Sequence, residues 1–280
     1  LVASQRGNQY VSCTGTLVAP DVVLTAAHCV HPGLVGNAVP GFTFEHDGTS
    51  LRGSDVIAAS GALYHPQFNP FQGQPPNTVS EVYDVALLFL SSPVTEVEPA
   101  RIIDPGDAAL VAEGDAIDVV GYGLTVDGGS ESDYGIKNHG TAQVMDVGDH
   151  ELHIGTSNET RNCQGDSGGP SLYQTASGPR ILSDVSRGAG NGQSDCSVGG
   201  IHTRVDPYLE WIHDNAELGC GTGINAACPG EDVPEVDEQP EDGDDDGSDS
   251  GDDQTGATPG PGTDGNGGCS IAGTRGPGLG

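Results

Sequence analysis

Asn162-Cys163-Gln164-Gly165-Asp166-Ser167-Gly168-Gly169-Pro170 sets a serine between glycines, behind an aspartate and a cysteine. That composition suits a hydroxyl displayed on a tight turn with backbone N–H groups beside it, able to attack a carbonyl and hold the resulting oxyanion. A Cβ at Gly165 would crowd a substrate or forbid the dihedrals that aim the amides. Alone, the run is equally an ordinary glycine-rich loop, so its weight depends on a base and an orienting acid elsewhere.

Both are present. Leu24-Thr25-Ala26-Ala27-His28-Cys29 lies upstream, and Tyr83-Asp84-Val85-Ala86-Leu87-Leu88-Phe89-Leu90 puts an aspartate at the head of an apolar run. Singly, a histidine beside a cysteine reads as a packed core residue and an aspartate before a strand as a turn residue. Together, in the order His, Asp, Ser, the three segments resemble the chymotrypsin/trypsin-like serine proteases over roughly residues 10 to 215. Subtilisin-like and α/β-hydrolase triads run in other orders.

The resemblance implies an all-β chain: two packed antiparallel six-stranded β-barrels with a C-terminal helix and the active site in the cleft between them. It implies a serine endopeptidase with His28 as general base, Asp84 as its orienting acid and Ser167 as nucleophile. The N–H groups of Gly165 and Ser167 would form the oxyanion hole, and Ser186 would support the buried Asp84. Asp166 would need a cation to hold the turn in its active shape, in the family an α-amino group freed by propeptide cleavage. The same resemblance would pair Cys13 with Cys29 and Cys163 with Cys196.

Two departures stand out. Only twelve residues precede Cys13, where the family has about twenty-five before its first disulfide cysteine, so a truncated N-terminus is expected. At the pocket floor, six residues before Ser167, the chain has Arg161, and it has Arg187 where the family usually has Trp; Gly188 and Gly200 match the small residues at the pocket mouth. Trypsin-like specificity is therefore not expected. A partly buried guanidinium needs a carboxylate, either an acidic substrate side chain or, internally, Asp184 or Asp195; the remaining alternative is that Arg161 turns out to solvent and leaves a general pocket.

Composition bounds the partners. The formal net charge is −32, with 8 Lys+Arg against 27 Asp+Glu in residues 1–220 and one Arg against 14 acids thereafter. Neither part offers the cations needed to bind nucleic acid or anionic lipid. Content of 34% hydrophobic residues with 45 glycines suits a turn-rich β protein. Seven cysteines, four of them bracketing the His and Ser motifs, read as structural disulfides of a secreted or cell-surface protein. No Cys/His spacing resembles zinc ligation, His150-Glu151-Leu152-His153 being too short, so no metal or cofactor is expected. No apolar run approaches the length of a membrane span, and no signal peptide is visible. A protein or peptide substrate and a monomeric state complete the expectation.

Along the chain, strands are expected over Gln9 to Val18, Val22 to Leu24, Val56 to Ala58, Ala62 to Tyr64 and Val85 to Leu90. Ala116 to Gly123 resembles the strand opening the family's second barrel, after a linker near Pro93 to Asp115. Further strands are expected at Val144 to Val147, Leu152 to Ile154 and Arg180 to Arg187. Pro207 to Asn215 reads as a helix that Asp206 can cap.

Domain boundaries follow composition: a protease domain over 1–220, an acidic Gly/Pro/Asp-rich disordered linker over 221–268, and a possible sorting-tag remnant over 269–280. Gly267-Gly268-Cys269-Ser270 resembles the start of bacterial C-terminal sorting tags of the myxobacterial type, without the apolar and basic residues that follow in those; a plain unpaired tail cysteine is the alternative. Cys220 and Cys228 are near enough in sequence to join locally. Asp242, Asp244, Asp246, Gly247 and Asp253 partly match an EF-hand loop, but the final glutamate and flanking helices are missing, as chance in an Asp-rich tract would give. A protease-fold binding module with an impaired site is the competing function.

Overall fold

Short apolar runs separated by Gly, Pro and Asn become strands joined by surface loops. The computed structural model describes residues 1–216, apart from 7–8, 37–39, 72–76, 126–133, 159 and 191–195. The acidic linker with its EF-hand-like aspartates, the tag, Cys220, Cys228, Cys269 and Asp195 all lie outside the described residues.

The first half holds β1 (Val2–Arg6), β2 (Gln9–Cys13), β3 (Thr16–Ala19), β4 (Val22–Thr25), β5 (Gly41–Phe42), β6 (Ile57–Tyr64) and β7 (Ala86–Leu90). These form a seven-stranded sheet in the order β2-β1-β5-β6-β7-β4-β3, every neighbour antiparallel. The second half holds β8 (Ala116–Gly121), β9 (Asn138–Val147), β10 (Glu151–Ile154), β11 (Pro170–Thr175), β12 (Gly178–Gly188) and β13 (Gly200–Arg204). They close into the expected six-stranded barrel, β10-β13-β12-β11-β8-β9, with β9 and β10 pairing to seal it. The first sheet differs from the expectation in staying open between β2 and β3. Thr14, which joins those strands, gives its N–H to Ser167 O and its C=O to the Thr25 hydroxyl, so neither group closes a turn.

Among the described residues the α-helices are few and short: α1 (Pro32–Val35), α2 (Pro105–Ala108) in the linker, and α3 (Leu209–Asn215), which follows a 3-10 turn over Asp206–Tyr208. Leu209, Ile212 and Ala216 share the buried face of α3, as their spacing predicts. Asp206 does not cap it. Its carboxylate is instead held by Arg204, with Nε–Oδ1 2.9 Å and the second nitrogen to Oδ2 2.8 Å.

Three apolar clusters fill the interior. One lies under the first sheet around Val23, Phe42 and Leu88, and another lies inside the barrel around Ile117, Leu152 and Leu182. The third joins the halves: Val18, Leu24 and Leu87 from the first sheet meet Ile102 of the linker, Ile181 of β12, and Leu209 and Ile212 of α3. Ile102 also pairs with Ile181 by a parallel bridge, which fastens the linker to the barrel wall. Truncating Ile212, which is fully buried, should therefore loosen both halves at once. Ile212→Ala is expected to cost about 2–5 kcal/mol, read as a lower denaturation midpoint by the fluorescence of Trp211, the chain's single tryptophan.

Candidate active site

β4 ends at Thr25, and the chain turns through a 3-10 helix, Ala27–Cys29, that presents His28 beside the Cys13–Cys29 disulfide. The His28 backbone N–H donates to Asp84 Oδ1 at 2.9 Å and Nδ1 lies 2.8 Å from Oδ2. A carboxylate only accepts, so the ring proton sits on Nδ1 and Nε2 is left as the basic nitrogen. Ser186 donates its hydroxyl to the same Oδ2 at 2.7 Å.

Asp84 lies two residues before β7 and is 3% exposed. Burial alone would raise its pKa, but the charge and hydrogen bonds of His28 and the Ser186 hydroxyl together hold it below the usual carboxylate range. For His28, burial disfavours the imidazolium, yet the Asp84 charge and hydrogen bond outweigh it and the ring's pKa ends above the ordinary 6.5. The preceding residue, Tyr83, is the one described non-glycine residue with positive φ, at 59°. Such a conformation strains a bulky side chain. It is pinned by a parallel stack of Tyr83 on His65, centroids 5.0 Å apart.

The 162–170 segment forms the tight turn its glycines imply. Gly165 has φ 95° and packs under the Tyr134 ring, so a Cβ there would meet the ring as well as a forbidden dihedral. Gly168, φ 75°, lies against Thr25, Ala26 and the Thr14 carbonyl, which seats Ser167 beside the end of the strand that leads to His28. Thr14 ties the turn down further, donating its N–H to Ser167 O at 2.7 Å and its hydroxyl to Gly165 O at 3.0 Å.

Backbone bonds also aim the amides. Leu124 N–H donates to Gln164 O and Gly169 N–H to Asp166 O, fixing the two peptide planes that carry the Gly165 and Ser167 N–H groups. Among the described residues, those two N–H groups donate to no protein acceptor, whereas those of Asp166, Gly168 and Gly169 are all bonded. Two unspent, oriented donors flanking a hydroxyl are what an oxyanion requires.

Asp166 points inward, accepting from Gly123 N at 2.8 Å and Cys163 N at 2.8 Å. It forms no ion pair among the described residues. Burial pushes the Asp166 carboxyl up to about 6 against the pull of its two N–H bonds. A cavity of about 280 Å³ adjoins it, lined by Gly121, Gly123, His139, Arg161 and Cys163 among others.

The pocket residues divide. Gly188 and Gly200 face each other across β12 and β13. Arg161 donates to Ser157 O at 3.3 Å in an exposed bond. Arg187, by contrast, is buried in a two-pronged pair with Glu151, at 2.7 and 2.8 Å. Its internal partner is thus Glu151 and not Asp184. The Asp184 carboxyl is 1% exposed, and burial followed by the Asp84 charge raises its pKa well above the usual range.

A second serine–histidine pair, Ser171 and His202, is joined at 2.7 Å. Both are fully buried, and burial lowers the His202 pKa to about 3, so the pair is a neutral core contact. The sulfurs of Cys13 and Cys29 lie within 4.8 Å of a His28 ring nitrogen, but they are bonded to each other and offer no thiolate to a metal. The second expected disulfide, Cys163–Cys196, is also formed.

The Asp166 values carry a sign. An acid whose folded pKa is raised stabilises the fold at pH below its unfolded value near 4 and loses that contribution as pH rises through about 6. Two units correspond to about 3 kcal/mol. Thermal stability should therefore fall between about pH 4 and 6, and Asp166→Asn should flatten that fall; an unchanged slope would contradict the assignment.

A family model described as Trypsin matches residues 1–212. Chymotrypsin-like elastase family member 1 of Canis lupus familiaris is 29% identical over 224 residues, covering 74% of this chain and 82% of that protein. Glucanase inhibitor protein 3 of Phytophthora infestans is 29% identical over 72% of this chain and 76% of its own length. Vitellin-degrading protease of Bombyx mori is 29% identical over 73% and 76% respectively. With the family model spanning the open sheet, the barrel and most of the closing helix, the chain belongs to the trypsin family.

Proposed function

We propose that this protein is a serine endopeptidase that hydrolyses peptide bonds through an acyl-enzyme. Ser167 Oγ attacks the scissile carbonyl while His28 Nε2 takes its proton and hands it to the leaving amine; water then repeats the exchange to release the acid. Asp84 holds the ring in the tautomer that leaves Nε2 basic, and the Gly165 and Ser167 N–H groups receive the oxyanion. The observation that carries this reading is the 2.8 Å His28–Asp84 bond together with two unspent amides beside Ser167. No step calls on a metal or a cofactor.

The substrate class is protein or peptide. Two disulfides fit an oxidising compartment, hence a secreted or cell-surface enzyme. Among the described residues no helix is long and apolar enough to cross a membrane. With Arg187 taken up by Glu151, a preference for an acidic residue before the cut rests on Arg161. A second reading, a non-catalytic binding module, has support in the relative that is named an inhibitor.

Reaction with a fluorophosphonate probe separates the two readings: the wild-type chain should be labelled on Ser167 and Ser167→Ala should not. An unlabelled wild type favours the binding module. Loss of Ser167 or His28 should lower turnover by about 10⁶-fold. Because the base must be neutral to act, kcat/KM should rise with pH through a midpoint above 6.5, the direction in which Asp84 displaces His28. A peptide panel varied only at the residue before the cut reads the pocket, and fastest cleavage after Lys or Arg would overturn the Arg161 assignment.

A further inference from the structure

A buried ion pair is weak evidence for stability, since apolar residues of similar volume often serve the fold as well. Arg187 and Glu151 therefore invite a functional question: both are almost wholly buried, and neither belongs to the triad. The surroundings of Arg187 answer it. One terminal nitrogen, besides bonding Glu151, donates to Ser186 Oγ at 3.3 Å. The other donates to Thr78 O at 3.2 Å and Ser80 Oγ at 3.4 Å. Glu151 in turn accepts from the Ser80 N–H at 2.8 Å and its hydroxyl at 3.1 Å. Asn77 adds a bond to Gly190 O at 3.2 Å, so the segment leading to Asp84 is stitched to the end of β12.

We propose that the Arg187–Glu151 pair is a positioning device for the triad acid. It fixes the Ser186 hydroxyl on Asp84 and holds the 77–81 segment against β12, and it does not read the substrate. The argument is one of hydrogen-bond valence. A guanidinium has donors and no acceptor, so its contact with Ser186 Oγ occupies a lone pair and cannot take the hydroxyl proton. That proton is directed to Asp84 Oδ2, 2.7 Å away. Asp84 thereby keeps a donor from β12 as well as the two from His28, which spreads its charge and fixes its plane. Asp184 also faces this carboxylate, and Thr203 donates to the Asp84 backbone carbonyl at 3.3 Å; neither supplies a side-chain donor to Oδ2.

The inference rests on the reading of His28, Asp84 and Ser167 as a triad, but its test does not depend on turnover. Replacing the pair by similar volumes, Glu151→Leu with Arg187→Met, should free the Ser186 hydroxyl and concentrate charge on Asp84. The His28 ring pKa, followed by NMR titration, should then rise by about half a unit. In a Ser186→Ala background the same double replacement should move it no further, because the effect passes through that hydroxyl. Should the double variant fail to fold, Arg187→Lys keeps charge against Glu151 but loses the fork that reaches Ser186, and should give the same shift. An unmoved His28 pKa, or an equal shift with and without the Ser186 hydroxyl, overturns the proposal. Fluorophosphonate labelling of the wild type, measured alongside, reports on the protease reading separately.

Discussion

The carboxylate of Asp84 is the charge that everything else must accommodate. At 3% exposure it has lost nearly all its water, a penalty of several kcal/mol unless donors replace the lost hydration. The replacements come from three places: the His28 backbone, the His28 ring and the Ser186 hydroxyl. His28 sits on the 3-10 turn that follows β4 in the first half and Ser186 lies on β12 of the barrel, so the charge is satisfied only when the two halves dock. The strained backbone at Tyr83, locked by its stack on His65, is a local cost of aiming that group across the join.

Two protonation preferences oppose each other around Ser167. In the proposed mechanism His28 acts as a base only above its raised pKa, whereas the turn beneath Ser167 is most comfortable while Asp166 stays neutral, below about 6. An ionised Asp166 has two N–H donors to lean on, from Gly123 and Cys163, and a cavity at its side. A cation reaching that cavity would relieve the conflict, and the family resemblance points to an α-amino group for the purpose.

What the sequence disclosed was the local chemistry. Gly165 announced a tight turn with dihedrals that a Cβ would forbid, and Val85 to Leu90 announced a buried strand because its apolar run is unbroken. The expected disulfide partners, Cys13 with Cys29 and Cys163 with Cys196, are joined in the fold. Long-range partnerships outside the family resemblance were not disclosed. Glu151 sits in His150-Glu151-Leu152-His153, read only as too short for a zinc site, and nothing in one dimension says that it neutralises Arg187, 36 residues away. Thr14 looked like a residue inside one continuous strand, yet it interrupts that strand to grip Gly165, Ser167 and Thr25. Asp206 offered a cap by position and was claimed instead by Arg204, since a guanidinium outbids a backbone N–H for a carboxylate.

The apolar cluster shared by β4, β7, Ile181 and α3 has a consequence for how the molecule comes apart. Its side chains come from both halves, with Leu209 and Ile212 of α3 among them, so each half loses part of its interior once the other opens. Melting should be all-or-none over both halves, and a chain severed between β7 and β8 should yield two fragments that recover order only by finding each other.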